Sequence, residues 1–513
     1  MLKKIRVGVS IILFTLITFY FVDFAELIPN KYLAWTAKIQ LIPAILSISI
    51  VTLLVIFATT ILLGRIYCSS ICPMGVYQDI VSWVSKKFSK KRKYAYSRAK
   101  TVMRLSALGL AIIAVLSGYS AFLGFIEPYS AYGRIVSNIF QLAYLAGNNV
   151  LESIYTYFGN YIFYKSNIVI SNTFAFSTAV VTLLTIGYLA WKYGRTFCNT
   201  ICPVGTILGY LSKYSLFKVN INNSKCNACG LCATKCKASC IDSKSHSVDR
   251  TRCVSCFNCL DICKKGALSY SLNGNGKKEK TEIIEPVTES TDTSKRSFLK
   301  FTIATAVTAP VAMAQSKADA LMGNQGYVRK VAIAPPGAGS VDNLQQKCTS
   351  CHLCISKCPS KVLKPAFMEY GIAGIMQPIM FFERGFCNFD CTICSDVCPN
   401  GALKSLSKEE KHLNQGGYVI LNEDICVVYT DGTSCGACAE HCPTQAVTMV
   451  PYKNGLTKPQ IDTEICIGCG GCEFICPVRP HRAIFVEGHT VHRQAKPFEK
   501  GEKQNIQLDD FGF

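Results

Sequence analysis

Cysteine spacing limits what this chain can fold into more than any other feature of its sequence. Of the 29 cysteines in 513 residues, most fall in runs of the form C-x2-C-x2-C-x3-C. Such a run wraps an iron–sulfur cluster, and its thiols are too close in sequence to pair easily with one another. The same cysteine content in a small secreted protein would indicate disulfides, but this spacing predicts thiolate ligands. The length of the chain also predicts several domains.

A polar segment, residues 221–273, is predicted to be a small α+β ferredoxin domain that holds two clusters. In bacterial two-cluster ferredoxins the first three cysteines of each run bind one cluster and the fourth binds the other. Lys237 and Lys264 replace the proline that usually follows the fourth cysteine, but the ligand spacing is intact. Cys240 lies outside both runs and is interpreted as a small buried apolar residue, or as a replacement for Cys236. The predicted ligand sets are Cys226, Cys229, Cys232 and Cys263, and Cys253, Cys256, Cys259 and Cys236.

Four further runs, each ending in Cys-Pro, predict a polyferredoxin domain over residues 341–492. Sixteen thiols predict four [4Fe–4S] clusters in two pairs, in which the first run pairs either with the second or with the fourth. The segment 348–352 also has the C-x-x-C-H pattern of haem attachment, but both of its thiols belong to a cluster run. No haem is therefore predicted, and His352 is interpreted as an ordinary loop residue. The four runs are Cys348, Cys351, Cys354, Cys358; Cys387, Cys391, Cys394, Cys398; Cys426, Cys435, Cys438, Cys442; and Cys466, Cys469, Cys472, Cys476.

Residues 1–220 are predicted to be a transmembrane module of four helices, because four apolar segments are long enough, or nearly long enough, to cross a bilayer. The stretch from Arg65 to Arg104 carries ten Lys or Arg and one acid, Asp79, so the N-terminus and residues 221–273 are predicted to be cytoplasmic. This topology and contact with membrane lipid account for the net charge of +21, and nucleic acid is not predicted as a partner. The predicted spans are Val7 to Val22, Leu41 to Leu63, Leu105 to Phe125 and Thr173 to Trp191.

An internal repeat lies inside this membrane module. The segment 64–75 recurs as 194–205, and each copy contains Gly-Arg, an aromatic residue before its first cysteine, and Cys-Pro-x-Gly. Both copies are predicted to emerge on the cytoplasmic face, where pseudo-symmetric packing would bring the four thiols together to bind a seventh cluster. The alternative is two separate dithiols or buried structural pairs. The four cysteines are Cys68, Cys72, Cys198 and Cys202.

The two ferredoxin domains are joined by a segment of different composition. Residues 274–294 are rich in Asn, Gly, Lys, Glu and Thr and are predicted to be a flexible linker. Residues 295–315 resemble a twin-arginine export signal, in which Lys295 and Arg296 precede an apolar run. This segment is interpreted as a signal or an anchor, and the alternative is a short buried helix. Export would make residues 341–492 periplasmic, with a linker at 316–340 before them and a polar tail at 493–513 after them.

The first half of the chain resembles NapH, the membrane ferredoxin-type subunit of the electron supply to periplasmic nitrate reductase, in its apolar segments, paired Cys-Pro motifs and two-cluster domain. The second half resembles the partner protein NapG in its export-like segment, its four cluster runs and the sequence Ala-Pro-Pro-Gly-Ala at 334–338. The resemblance implies a quinol dehydrogenase component of the cytoplasmic membrane, which passes electrons from the quinone pool to a redox partner protein, a reductase or a cytochrome. The alternatives are a maturation factor for a metalloenzyme and a carrier with both ferredoxin domains in the cytoplasm.

All seven histidines lie outside residues 1–220, so a membrane dihaem site is excluded. Quinol oxidation would then need acidic proton acceptors, and the candidates on the non-cytoplasmic side are Asp23, Glu26 and Glu127. The alternative is that these acids are interfacial charges in contact with water. The sequence contains no G-x-G-x-x-G motif, P-loop or nucleophile triad, so nucleotide-dependent chemistry and hydrolysis have no support.

Overall fold

The computed structural model describes residues 1–23, 26–88, 94–166, 168, 170, 172–272 and 329–497. The predicted linker at 274–294 and the predicted signal or anchor at 295–315 lie outside the described residues. So do most of the predicted linker at 316–340 and all but the first residues of the polar tail at 493–513.

The N-terminal part of the chain is helical as far as Leu211. A π-helical turn, Val136–Phe140, joins two of its helices, and a 3-10 turn, Ser212–Tyr214, follows the last one. The helices are α1 Leu2–Val22, α2 Asn30–Lys38, α3 Leu41–Leu46, α4 Ile50–Leu63, α5 Ile66–Ser70, α6 Pro73–Phe88, α7 Thr101–Leu116, α8 Ser120–Ile126, α9 Pro128–Ile135, α10 Gln141–Tyr157, α11 Thr173–Tyr193, α12 Thr196–Thr200 and α13 Pro203–Leu211.

Two of the four predicted spans are continuous helices and two are broken. Among the described residues, only α1 and α11 are long and apolar enough to cross a membrane by themselves. The second span is divided at Ile48, where φ is +55°, and the third is divided at Gly118, where φ is +78°. Residues with positive φ cannot continue a right-handed helix. At 1.5 Å per residue, the 14 residues of α4 and the 16 of α7 rise about 21 and 24 Å, less than the thickness of a bilayer core.

The long helices surround shorter ones that carry the repeated motif. Helix α11 packs mainly against α6, and α7 packs against α8 and α13. The outer faces of the long helices are apolar: Ile12, Val51, Ile113 and Leu184 are 60, 75, 62 and 65% exposed. The inner faces form one core that includes the four motif cysteines. The predicted simple four-helix bundle is therefore replaced by helices packed around a centre of short motif helices.

The two-cluster module, residues 217–272, is the predicted α+β ferredoxin unit. Strand β1, Phe217–Ile221, pairs antiparallel with β4, Leu268–Leu272, and β2, Ile241–Asp242, pairs with β3, Ser247–Val248. Two short helices, Leu231–Lys235 and Asn258–Ile262, each contain the third cysteine of a run, Cys232 or Cys259, and they pack against each other.

The four-cluster module, residues 329–497, contains three antiparallel strand pairs. They are β5 Leu363–Pro365 with β6 Pro378–Met380, β7 Asn414–Leu421 with β10 Ile484–Gln494, and β8 Val447–Pro451 with β9 Thr457–Ile461. Its helices are Val341–Lys347, Leu353–Lys357, Ile393–Asp396, Lys408–His412, Val427–Thr430, Ala437–Glu440 and Gly471–Ile475, and its 3-10 turns are Ile372–Gly374, Glu423–Ile425 and Lys453–Gly455.

The two modules contact opposite ends of α1. At the start of the helix, Lys3 Nζ lies 2.8 Å from a carboxylate oxygen of Asp261 in the two-cluster module. Just after its end, the backbone carbonyl of Asp23 accepts a 2.7 Å hydrogen bond from Lys357 of the four-cluster module. The 21 residues of α1 rise about 30 Å, so the helical part of the chain separates the two modules by that distance.

Candidate iron–sulfur sites

All 29 cysteines lie in the described parts of the chain, and none of them forms a disulfide. In those parts no three Cys, His, Asp or Glu side chains converge as they would around a single metal ion. Many of the thiols stand instead in groups of four around small cavities. This arrangement suits a cluster, because an iron–sulfur core separates the four thiolates that hold it.

One cavity lies inside the two-cluster module. Its wall is otherwise largely apolar and includes Val219, Ile241 and Phe257. The cavity brings together three cysteines of the second run and the fourth cysteine of the first, as the interleaved pattern of ferredoxins predicts. The four thiols belong to Cys236, Cys253, Cys256 and Cys259.

The other predicted set of this module lies nearer the surface. Cys232 is close enough to Cys226 and Cys229 for the three thiols to interact electrostatically, and Cys229 is exposed. Cys263 follows the helix Asn258–Ile262, which packs against the helix that carries Cys232. One predicted cluster site of the module is thus buried, and the other is partly exposed.

Cys240 lies at the enclosed site and not elsewhere in the core. Its sulfur is 3.5 Å from that of Cys236, and it lines the same cavity. A hydrogen bond with Cys240 lowers the pKa of Cys236 to about 7, whereas the pKa of Cys240 is raised. The prediction of a buried side chain is correct, and its neighbours include ligand thiols as well as apolar residues such as Val219 and Ile241.

In the four-cluster module, the first run pairs with the second. One cavity has Cys358 of the first run beside Cys387, Cys391 and Cys394 of the second. Conversely, Cys398 of the second run interacts electrostatically with the other three cysteines of the first run. Of the two predicted pairings, first with second and first with fourth, the structure has the former.

The third and fourth runs pair in the same way. Another cavity has Cys442 of the third run beside Cys466, Cys469 and Cys472 of the fourth, and Cys476 interacts electrostatically with Cys426. The two pairs are joined where the backbone N–H of Cys387 donates a 2.9 Å hydrogen bond to the carbonyl of Cys469. The four predicted cluster sites therefore form one row, with the site of Cys351 at one end and that of Cys426 at the other.

The repeated membrane motif brings its four thiols together, as pseudo-symmetric packing predicts. Cys68, Cys72, Cys198 and Cys202 are at most 4% exposed, and each interacts electrostatically with others of the group. Several donors point at their sulfurs. Gln78 Nε2 lies 3.2 Å from Cys198, and the backbone N–H of Gly205 lies 3.3 Å from Cys202.

Each motif also binds the other through its arginine. Arg195 Nη1 donates a 2.5 Å hydrogen bond to the carbonyl of Cys68, and Arg65 Nη2 donates a 3.4 Å bond to the carbonyl of Cys198. Glycine is needed beneath both contacts: a Cβ at Gly75 would lie 2.2 Å from the Cys68 oxygen, and one at Gly205 would lie 2.0 Å from the Cys198 oxygen. The duplicated Cys-Pro-x-Gly sequence therefore makes room for the arginine of its partner.

The membrane thiols fit an anionic cluster by an independent criterion. Arg195 Nη2 is buried and has no hydrogen-bond partner among the described residues, yet the charge of Arg195 interacts with Cys68 and Cys198. Arg65 Nη2 also lies 3.8 Å from the Cys68 sulfur. Buried cations need a counter-charge, and a cluster held by four thiolates would supply one.

A buried ionic cluster lies between these thiols and the two-cluster module. The Asp79 carboxylate accepts hydrogen bonds from Arg195 Nε at 2.8 Å and from Arg6 Nη1 at 3.1 Å. Lys237 Nζ lies 3.1 Å from the Oδ1 atom of the same carboxylate. Burial alone would raise the pKa of Asp79, but the three cations lower it below its usual range. In the sequence Asp79 is the one acid between Arg65 and Arg104, and that isolation is the signal that it pairs with several cations.

The predicted quinol acids lie in different surroundings. Asp23 is fully buried, accepts a 3.2 Å hydrogen bond from the N–H of Leu27, and has Lys357 Nζ 3.9 Å away. Glu127 is 1% exposed and caps α9 by accepting from the N–H of Tyr129 at 2.9 Å. Glu26 is exposed. The interpretation as solvated interfacial charges is therefore wrong for Asp23 and Glu127, and their role as proton acceptors stays a prediction.

His352 is not the ordinary loop residue that was predicted. It is 2% exposed, its Nδ1 lies 3.2 Å from Asn138 Nδ2 of the π-helical turn, and its Nε2 lies 3.1 Å from the carbonyl of Met376. Burial and the neighbouring charge of Arg134 lower the pKa of His352 to about 3. The neutral imidazole thus joins the helices to the loop that carries Cys351.

Small α+β modules with thiols grouped around enclosed cavities define an iron–sulfur protein of the ferredoxin class. A family profile described as "4Fe-4S binding domain" matches residues 46–91 and 174–223, which contain the two membrane motifs. A second profile, described as "4Fe-4S dicluster domain", matches residues 433–479.

Three individual relatives show which family the chain belongs to. The methylamine utilization ferredoxin-type protein MauM of Methylobacillus flagellatus is 30% identical over 168 residues, which are 31% of this chain and 69% of MauM. The ferredoxin-type protein NapG of Escherichia coli is 28% identical over 159 residues, which are 28% of this chain and 66% of NapG. An uncharacterized protein of Methanocaldococcus jannaschii is 26% identical over 232 residues, which are 45% of this chain and 74% of that protein. The chain belongs to the family of ferredoxin-type 4Fe–4S proteins that includes MauM.

The resemblance to NapG predicted from the cysteine runs is thereby confirmed. The protein is an iron–sulfur electron-transfer protein that binds [4Fe–4S] clusters. No solved structure matches the chain.

Proposed function

We propose that this protein conducts electrons across the cytoplasmic membrane, between the two-cluster module on one side and the four-cluster module on the other. The observation that carries the proposal is the contact of the two modules with opposite ends of α1, at Lys3 and at Asp23. A separation of about 30 Å equals the thickness of a bilayer core. An electron carrier with both modules in the cytoplasm would need them on the same side, which these contacts disfavour.

Surface chemistry supports the membrane location. The exposed faces of α1, α4, α7 and α11 are apolar, and such a belt around a protein is stable only when lipid covers it. Lys86 and Lys87 end α6 on the side of the two-cluster module, and basic loops mark the cytoplasmic side. The four-cluster module is then periplasmic.

Continuity of the contacts supports a path through the centre. Arg65 touches both the two-cluster module and the membrane thiols, since its Nη1 donates a 3.0 Å bond to the carbonyl of Thr251 and its Nη2 lies 3.8 Å from Cys68. At the other end, Ser130 Oγ lies 2.7 Å from Thr349 Oγ1, in the first run of the four-cluster module. Six [4Fe–4S] clusters in the modules and a seventh at the membrane thiols would supply one-electron carriers along this path.

Quinol as the electron donor, and a reductase or cytochrome as the acceptor, complete the proposal. Their support is the resemblance of the two halves to NapH and NapG, together with the acids at the end of the bundle that contacts the four-cluster module. Glu127 and Asp23 are buried there, and Glu26 lies at the surface. Maturation of a metalloenzyme is the alternative use of the same electrons, and quinol oxidation by the purified protein separates the two.

The test is electron transfer across sealed vesicles. Anaerobically reconstituted protein is placed in liposomes that enclose ferricyanide, and dithionite is added outside, since neither reagent crosses the bilayer. We expect the enclosed ferricyanide to lose its colour faster than in vesicles without protein. The variant with Cys68→Ser and Cys198→Ser should lose this acceleration, and Ser70→Ala, a substitution between two motif cysteines, is the matched control. Wild-type protein that does not accelerate the reaction would refute transmembrane conduction.

A further inference from the structure

Two tyrosine hydroxyls are buried where the helices meet the four-cluster module. Tyr20, on α1, is fully buried, and Tyr129, on α9, is 1% exposed. Neither hydroxyl has a hydrogen-bond partner among the described residues. Most buried polar groups in proteins are hydrogen-bonded, so two such hydroxyls side by side indicate a group that both of them face.

The neighbours of the two rings identify that group. Both tyrosines belong to the core that contains Cys351. Helix α9 lies against the loop that carries Cys351, since Ser130 Oγ lies 2.7 Å from Thr349 Oγ1. Both hydroxyls also interact electrostatically with Cys351 and Cys398. These two cysteines belong to the predicted cluster site that lies nearest the helices.

The rings have little freedom to turn elsewhere. Lys357 Nζ lies 5.1 Å from the centre of the Tyr20 ring, and the ring of Phe21 lies 5.9 Å from that of Tyr129. The Glu127 carboxylate accepts hydrogen bonds from backbone N–H groups, and Arg134 Nη2 donates a 2.8 Å bond to the carbonyl of Gly124, whereas Arg134 Nε has no partner among the described residues.

We propose that Tyr20 and Tyr129 donate hydrogen bonds to the sulfur atoms of the cluster held by Cys348, Cys351, Cys354 and Cys398, and so raise its reduction potential. The inference rests on the proposed electron-transfer function. A reduced cluster carries one more negative charge than an oxidised one, so donors to its sulfurs stabilise the reduced form more. The two hydroxyls make this site a better acceptor for electrons that arrive from the helices.

Tyr132 offers a matched control on the same helix as Tyr129. It is equally buried, at 1% exposed, but its hydroxyl has a partner, Thr18 Oγ1 at 2.6 Å. Tyr132→Phe therefore removes a buried hydroxyl from the same region without removing a donor to the cluster.

The experiment is an anaerobic redox titration of the full chain in detergent, followed by electron paramagnetic resonance. We expect Tyr20→Phe and Tyr129→Phe each to lower the midpoint potential of one cluster, and the double variant to lower it further, with iron content and the other midpoints unchanged. After hydroxyl protons are exchanged for deuterons, the same variants should show a weaker magnetic coupling between the exchangeable deuterons and that cluster. Tyr132→Phe should change neither quantity.

Two results would overturn the inference: unchanged midpoints in both variants, or an equal shift in Tyr132→Phe, which would attribute the effect to packing. The titration is made in detergent and does not depend on transfer across vesicles. A shifted midpoint in a protein that fails the vesicle assay would therefore refute the proposed function and leave the role of the two tyrosines intact.

Discussion

Arg195 of the second membrane motif holds Cys68 of the first through a 2.5 Å hydrogen bond to its backbone carbonyl. Arg65 makes the reciprocal contact with Cys198 at 3.4 Å. Neither copy of the motif is complete without the other, since each arginine lies above the glycine of its partner copy. This exchange favours one shared four-thiol site over two independent dithiols.

Iron content tests that shared site. At four iron atoms per four-thiolate set, anaerobically reconstituted protein should contain about 28 iron atoms, and the variant with Cys68→Ser and Cys198→Ser should contain about 24. The measurement is a colorimetric iron assay, expressed as iron atoms per protein molecule. Equal iron in the two proteins would exclude a seventh cluster, and a wild-type content near 12 or below would exclude the six predicted in the modules.

Asp79→Asn should destabilise the protein strongly. The substitution leaves Arg6, Arg195 and Lys237 buried without their shared carboxylate, and breaking a buried ion pair in this way costs about 3–5 kcal/mol. Asp261→Asn is the control, because its ion pair with Lys3 is exposed and should contribute at most about 1 kcal/mol. Thermal unfolding in detergent compares the stabilities of the two variants. A similar small loss of stability in both would show that the buried ion pairs of Asp79 do not stabilise the contact of the helices with the two-cluster module.

Protease accessibility tests the sidedness of the two modules. Protease added to intact spheroplasts should degrade the four-cluster module, residues 329–497, and spare the two-cluster module, residues 217–272. The double substitution Lys295→Gln and Arg296→Gln should protect the four-cluster module, because export depends on the basic pair. If that module is protected in the wild type, or equally accessible in the variant, the export prediction is wrong.

Quinol oxidation tests the acids at the outer end of the bundle. Removing a general base typically slows a reaction about 100-fold or more, so Glu127→Gln and Asp23→Asn should slow menaquinol oxidation by about that factor while iron content stays constant. Glu26→Gln, at an exposed acid of the same region, shows whether the effect is specific to buried groups. Unchanged menaquinol oxidation in both buried variants would mean that the quinol site lies elsewhere.

Local spacing made part of this architecture predictable. The thiols around the enclosed site of the two-cluster module are those that the run pattern selects, because three ligands of each cluster come from one short loop. The pairing of the four C-terminal runs was not predictable, since the partner of Cys358 is fixed by how distant loops pack. The breaks at Ile48 and Gly118 also escaped prediction, because hydropathy reports apolar length and not the backbone angle of one residue.

Side chains that join separate elements were likewise invisible in the sequence. His352 follows a ligand cysteine and looks like a loop residue until the π-helical turn brings Asn138 to it. Tyr20 and Tyr129 are ordinary aromatic residues of apolar helices by composition. Among the described residues, their buried hydroxyls have no hydrogen-bond partner, and this distinguishes them from Tyr132.

Because α1 is held by a different module at each end, the distance between these two contacts is fixed. A helix that is free at one end adapts to a thicker bilayer by changing its tilt, but α1 is held at Lys3 by one module and at Asp23 by the other. In the proposed membrane-spanning arrangement, lipid must then adapt to the protein, and a mismatch of a few ångströms costs fractions of a kcal/mol for each ångström. Under that proposal, a bilayer whose hydrocarbon core is thicker than about 30 Å would strain the contacts at Lys357 or Asp261, so lipid composition would control how well the two modules stay in electrical contact.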